Sequence, residues 1–327
     1  EPWQEGENEL LLRLLFRMPS FRASDIHRWT REMPGMAAFE EAPDERRGEF
    51  FALRGTVLSV EPQRPLPEVA ERFQFDVYYR CRLQLADGQG AAVVFTRIVP
   101  EAWTEGGPVD ERGGANGLFL KVGGAEEEPG TAFFAAPRLA WYPDTLLGQL
   151  GMDYGLFEDV KDRRSLTRRE RDAFYRMLTV VGFTDPTELM RLATERAKQA
   201  TGEKAHSVVP LFNKAPQQRG KLFVLEGAAR RVVEVRVEDP DIIQRFGVDH
   251  YYEIAVYTDD SQGNPIFFCV RRLPEGMPLG DGPRYGEFVR VAGFFFKTWG
   301  YRPIAVTTTW RRRSRGPGGS ASPVRSK

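Results

Sequence analysis

Reactive side chains are scarce in this chain. Its 327 residues contain three histidines and two cysteines. His27, His206 and His250 fall in a leader, a linker and a strand, without the spacing that gathers ligands around a metal. Cys81 and Cys269 occupy non-equivalent strand positions in separate halves, so they read as buried thiols acting as small apolar residues rather than as a disulfide pair. Lys and Arg balance Asp and Glu at 46 each, which withholds the basic surplus of a protein that grips phosphates. No apolar run approaches the ~18–20 residues of a membrane span, and the best, Leu10 to Phe16, is broken by Arg13. There is no serine elbow, P-loop or dinucleotide glycine pattern. The run Glu126-Glu127-Glu128 and the group Asp239, Asp241, Asp259 and Asp260 lack the spacing of a calcium loop. These absences predict a protein that is not an enzyme and carries no cofactor and no metal.

What is present is a stretch written twice. Arg47-Gly48-Glu49-Phe50-Phe51-Ala52-Leu53-Arg54-Gly55 returns as Arg219-Gly220-Lys221-Leu222-Phe223-Val224-Leu225-Glu226-Gly227. Arg72-Phe73-x-x-Asp76-x-Tyr78-Tyr79 is echoed by Arg245-Phe246-x-x-Asp249-x-Tyr251-Tyr252. Arg97-x-Val99-Pro100-Glu101 matches Arg271-x-Leu273-Pro274-Glu275, and Leu120-Lys121-Val122-Gly123-Gly124 matches Val289-Arg290-Val291-Ala292-Gly293. The order is kept while the offset drifts by a few residues, as expected of one duplicated domain with altered loops.

The chain divides accordingly into a helical leader 1–46, a first β repeat 47–143, a helical hairpin 144–218, a second β repeat 219–310 and a tail 311–327. In the leader, 7–18 suits a helix ended by Pro19, Ser24 is a cap for a second helix reaching Glu32, and 35–46 reads as loop. Each repeat reads as five strands with a short helix between the first two, Leu66 to Phe73 and Asp241 to Phe246. Thr167-Arg168-Arg169-Glu170 is a capping box, and Asp185-Pro186-Thr187-Glu188 a second helix start. The tail carries six cations and no acid, and its Arg, Gly, Ser and Pro content predicts a disordered segment.

Leu53-Arg54-Gly55-Thr56-Val57, Asp87-Gly88-Gln89-Gly90 and Glu287-Phe288-Val289-Arg290-Val291-Ala292-Gly293 supply a glycine inside the first strand, a hairpin turn, and a fourth strand. In that order they resemble the OB-fold (oligonucleotide/oligosaccharide-binding) family. The resemblance implies a mainly β fold with a helical linker: two OB-like five-stranded Greek-key barrels joined by a helical hairpin. A weaker resemblance, prompted by Phe294-Phe295-Phe296-Lys297-Thr298-Trp299-Gly300-Tyr301, is to uncharacterised bacterial envelope proteins whose paired barrels precede a membrane anchor.

Barrels that bind single strands present aromatic faces with cations along the backbone path. The candidate ligand-binding residues are Tyr78, Tyr251, His250, Arg271, Lys297 and Trp299. Neighbouring tyrosines on a strand point to opposite faces, so one of each pair is expected in the core and the other outside or under the inserted helix. Arg72–Asp76 and Arg245–Asp249 are expected ion pairs holding that helix. The expected function is a non-enzymatic binding or assembly module with a protein or polymer partner, attached to the bacterial cell envelope through segments outside this chain. A single-stranded nucleic-acid binder is the alternative, and a hydrolase with a site near His250 the third reading.

Overall fold

The computed structural model describes residues 5–88, 90–123, 130–300 and 302–312. In chain order the leader gives α1 (Glu5–Arg17), α2 (Ala23–Trp29), β1 (Thr30–Glu32), α3 (Met36–Glu41) and α4 (Pro43–Arg46). The first repeat follows with β2 (Phe50–Gln63), α5 (Pro67–Phe73), β3 (Tyr78–Leu85), β4 (Ala91–Thr96), β5 (Gly107–Val122), β6 (Thr131–Ala135) and β7 (Ala140–Trp141). Next come α6 (Leu146–Gln149), α7 (Arg171–Gly182), α8 (Pro186–Thr201), α9 (Val209–Asn213) and α10 (Ala215–Gln218). The second repeat gives β8 (Leu222–Arg236), α11 (Pro240–Phe246), β9 (His250–Tyr257), β10 (Ile266–Val270), β11 (Gly280–Asp281), β12 (Glu287–Trp299) and β13 (Arg302–Arg312).

The fold is mainly β with helices, built on two sheets. The first has seven strands in the order β1-β2-β3-β4-β6-β5-β7, and β2 also pairs with β5. Pairing therefore runs round β2-β3-β4-β6-β5 and returns to β2, with β4 and β6 parallel and the other neighbours antiparallel. The second has six strands in the order β11-β8-β12-β13-β10-β9, and β8 also pairs with β9. Its pairing returns to β8 in the same way, with β10 and β13 parallel.

The two sheets share local irregularities at matching repeat positions. β2 is bulged between Val57 and Ser59, and β8 between Ala229 and Arg231. A Cβ on Gly55 would overlap the backbone oxygen of Gln84, and one on Gly227 the backbone oxygen of Tyr257. At these crossings only a glycine lets the strands approach. Both inserted helices end in a left-handed residue, Gln74 at φ 57° and Gly247 at φ 63°.

Several elements depart from expectation. The five strands expected per repeat are joined by the edge strands β1, β7 and β11, and the segment expected as one strand over 132–142 is split into β6 and β7. α2 ends at Trp29, and residues 30–32 run parallel to β2 instead of continuing the helix. Residues 35–46, expected as loop, form α3 and α4, and Phe39 of α3 is fully buried. Arg311 and Arg312, expected in the tail, end β13. The rest of the tail, the acidic run 126–128, Gln89 and Tyr301 lie outside the described residues.

The chain forms two compact units. The first holds 1–160, 167–180 and 237–249, and the second 161–166, 181–236 and 250–327. Inside the first ring, Phe51, Leu53, Val57, Val60, Tyr79, Cys81, Leu83, Val94 and Phe119 pack with Phe39. On its outer face, Leu11, Leu12 and Leu15 of α1 pack over Phe50, Tyr78, Val93, Phe95 and Phe133. Each such leucine contributes about 1.5–3 kcal/mol when fully buried. Lys121–Glu7 at 2.9 Å and Arg72–Glu9 at 3.0 Å add charged ties to the leader. α11 packs on α2, and Arg171–Asp239 (2.6 Å) and Arg245–Asp172 tie it to α7. In the second unit Leu225, Val232, Ile254, Val256, Phe268, Val291 and Phe295 fill the ring, while α8 lies against β8, β12 and β13.

The Ser24 cap is not formed, because α2 starts at Ala23 and its N-cap Arg22 makes no side-chain cap bond, whereas the Glu170 half of the capping box and the Asp185 cap are present. Thr167 N–H donates to Glu170 at 2.6 Å, and Asp185 accepts from Thr187 and Glu188 N–H at 2.7 and 3.0 Å. The two clasp ion pairs are not. Arg72 turns to Glu9, and Arg245 pairs with Asp172 and with Asp241 at 3.1 Å. Glu9 on α1, Asp172 on α7 and Asp241 on α11 itself take the place of the aspartates four residues on in the chain, because α5 and α11 end before Asp76 and Asp249 are reached.

Candidate functional site

Strand alternation sorts the tyrosines. Tyr79 points into the first ring and Tyr78 outward, yet Tyr78 is 8% exposed because α1, Phe73 at the end of α5 and Phe75 just after it cover it. Burial pushes the Tyr78 hydroxyl above its ordinary range. The outer face of this sheet is therefore closed where β3, β4 and β6 meet the leader.

In the second unit Tyr251 and Tyr252 are both half-buried, and Tyr252 packs against the ring interior. His250 lies two residues from Tyr252 on the same face, edge-on to its ring at 5.6 Å. Arg271 is half-buried just beyond β10. Lys297 is fully buried beside a bulge in β12, where a polymer in solvent does not reach it. Trp299 is 37% exposed, with its ring edge-on to Phe267 at 6.0 Å. The structure thus places His250 and Tyr252 together and Trp299 with Phe267, and it separates Lys297 from solvent.

Several cations of the second repeat pair with acids. Arg231 pairs with Glu253 and with Asp281 at 3.3 Å, and Arg236 with Glu234 at 3.2 Å. Arg290 pairs with Glu226 at 3.2 Å and donates to Thr194 Oγ1 and the Lys204 carbonyl at 2.9 and 2.6 Å. Arg219 pairs with Asp162 at 2.7 Å and donates to the Phe296 carbonyl at 3.1 Å. Arg230 lies over the Tyr257 ring at 5.6 Å. Cations already paired with acids release few counterions from a nucleic acid.

Three polar clusters escaped the sequence reading. Asp153 in the first unit accepts from Trp141 and Gly155 N–H, both at 3.0 Å, and pairs with Arg138 at 3.1 Å. Burial pushes its carboxyl up, against the pull of Arg138 and the two N–H donors. The Asp153-x-Gly155 spacing was its one sequence signal, the mark of a side-chain cap. Asp260 accepts from Ser207 Oγ and Val208 N–H at 2.7 and 2.9 Å and from Thr258 Oγ1 at 2.7 Å. Burial raises its carboxyl, but these donors outweigh burial and hold it below the ordinary range.

His206 is the third. Its Nδ1 accepts from Val224 N–H at 3.1 Å, while the His206 backbone N–H donates to the Val224 carbonyl at 2.8 Å. Burial lowers its pKa below 6.5. A depressed histidine favours the neutral ring in the fold, so its contribution is present above the unfolded value near 6.5 and lost as pH falls through the folded value. Urea midpoints at about pH 7.5 and 5.5 are expected to show a loss of stability on acidification that His206→Gln reduces. An unchanged pH slope in the variant contradicts the assignment.

Among the described residues no group of three or more His, Cys, Asp or Glu is placed to hold a metal ion. No described helix is long and apolar enough to cross a membrane. Both cysteines are buried and unbridged, and burial pushes both thiols up.

No protein-family description matches the chain, and no curated protein does. Among solved structures, the wild-type single-stranded DNA binding protein from Thermus aquaticus is similar to 83% of this chain and 97% of its own, at 10% identity and a TM-score of 0.21. A likeness at that score carries no argument about fold or function.

Proposed function

We propose that the protein is a non-enzymatic binding or assembly module built from two duplicated OB-like barrels, associated with the bacterial cell envelope. The observation that carries the reading is the connectivity common to both sheets. In each, the first strand of the ring pairs with the second and the fourth, and the third runs parallel to the fifth. That is the strand order of an OB barrel. The matching bulges and glycine crossings support descent from one ancestral unit. Internally paired cations and the leader-covered outer face favour a protein or uncharged polymer as partner over a nucleic acid.

A fluorescein-labelled single-stranded oligonucleotide of about 30 nucleotides, titrated at low salt, tests the choice of partner. Anisotropy is expected to stay flat up to micromolar protein. Salt-sensitive binding weakened by Tyr251→Ala or Arg271→Ala overturns the reading in favour of the nucleic-acid alternative. Turnover of an ester or phosphate substrate that is abolished by His250→Ala overturns the non-enzymatic part. A reading frame that encodes no apolar segment on either side of these residues overturns the envelope association.

A further inference from the structure

The leader, the α5–β3 connection and the segments leaving β4 and β6 line a half-open pocket of about 300 Å³ in the first unit, with Gln74, Asp76 and Ile98 exposed to solvent. Leu15, Met18, Phe75, Ile98 and Pro137 supply apolar lining, and three polar side chains join them: Gln74, Asp76 and Arg97. An apolar cavity with a few converging polar groups is the usual form of a small-ligand site.

The two charges are unmatched within the protein. Arg72 pairs with Glu9, which leaves Asp76 without the cation that chain spacing assigns to it. The Arg97 guanidinium lies over the Phe75 ring at 4.6 Å. Among the described residues neither Asp76 nor Arg97 has an ion-pair partner within 4.0 Å, each other included. An acid and a base that share one pocket without pairing present complementary charges at separate points. Gln74 holds φ at 57° where the other repeat places Gly247 at 63°. That left-handed residue is the stop of α5, and it places the Gln74 side chain on the pocket lining.

We propose that this pocket binds a small zwitterion with an apolar side chain, of the class of free α-amino acids. Its carboxylate is received by Arg97, its ammonium by Asp76, and its side chain by Leu15, Met18 and Ile98. The guanidinium accepts a bidentate carboxylate while still stacked on Phe75. The proposal goes beyond the binding-module reading and does not depend on what the barrels themselves bind.

The test is calorimetric titration of the whole chain with L-leucine and L-phenylalanine at up to about 10 mM. Controls are 4-methylpentanoate, which lacks the ammonium, and 3-methylbutylamine, which lacks the carboxylate. At least one amino acid is expected to bind saturably, and loss of either charge to weaken binding about tenfold or more. In Arg97→Gln, leucine and the amine should become equal, and in Asp76→Asn, leucine and the carboxylate. Thermal melts of both variants confirm that they fold. No saturable binding of either amino acid overturns the proposal. So do equal affinities for leucine and both controls, or unchanged leucine affinity in a folded Arg97→Gln. A positive oligonucleotide titration leaves this result untouched, so the two failures are distinguishable.

Discussion

Gly227→Ala is expected to destabilise the second unit by about 3 kcal/mol, and Gly55→Ala the first by a similar amount. The added methyl at either site meets a backbone carbonyl, that of Tyr257 or of Gln84, and not the movable end of a side chain. Rotamer changes cannot relieve such an overlap. Relief requires β8 to part from β9, or β2 from β3, and paired backbone groups lose their partners. Gly286→Ala is the control, since a Cβ there has nothing within 4 Å, and it should change stability by less than about 0.5 kcal/mol. Urea midpoints read by tryptophan fluorescence and circular dichroism decide the matter. Wild-type stability in both variants would mean that the strands do not cross as described.

Asp153→Ala is expected to cost about 3–4 kcal/mol, and Asp153→Asn about half that. Alanine leaves the Trp141 and Gly155 N–H groups without their acceptor and Arg138 without its counter-charge. Arg138 Nε has no hydrogen-bond partner already, so the guanidinium depends on this carboxylate. Asparagine keeps a carbonyl oxygen for the two N–H donors but turns an amide toward a cation. The comparison separates the loss of hydrogen bonds from the loss of charge. Gly155 belongs to the same construction, because a Cβ there would crowd Arg138 Nη2 at 2.7 Å. Equal costs for the two variants would assign the whole effect to the ion pair and remove the capping role.

Much of this architecture could be read from residues alone, and the failures have physical causes. Long strands alternate, so β2, β3, β8 and β9 are legible from their apolar period, and Asp185 and Thr167-x-x-Glu170 mark helix starts by chemistry. Two- and three-residue strands such as β7, β11 and β1 have no period to detect; tertiary pairing alone makes them. Phe39 was assigned to a loop because the short α3 has no amphipathic repeat, yet it meets Phe51 and Phe119 inside the first ring. Tyr78 shows the limit at the candidate site. Alternation assigns it outward, but only the leader, about 60 residues earlier in the chain, decides whether outward means exposed. Arg72 and Asp76 were paired by spacing, and the competing acid Glu9 lies on α1, out of reach of any local rule.

Each sheet closes on itself through its parallel third-to-fifth pair. Residue-resolved amide hydrogen exchange tests it most directly at Phe267–Cys269 against Ile304–Val306 and at Ala91–Phe95 against Thr131–Ala135. The predicted result is slow exchange on paired amides of both strands in each set, matching the protection of the β8–β12 and β2–β5 pairs. Exchange of the β13 or β6 amides at unprotected rates, while their antiparallel neighbours stay protected, would contradict closure and with it the OB-like reading of that sheet.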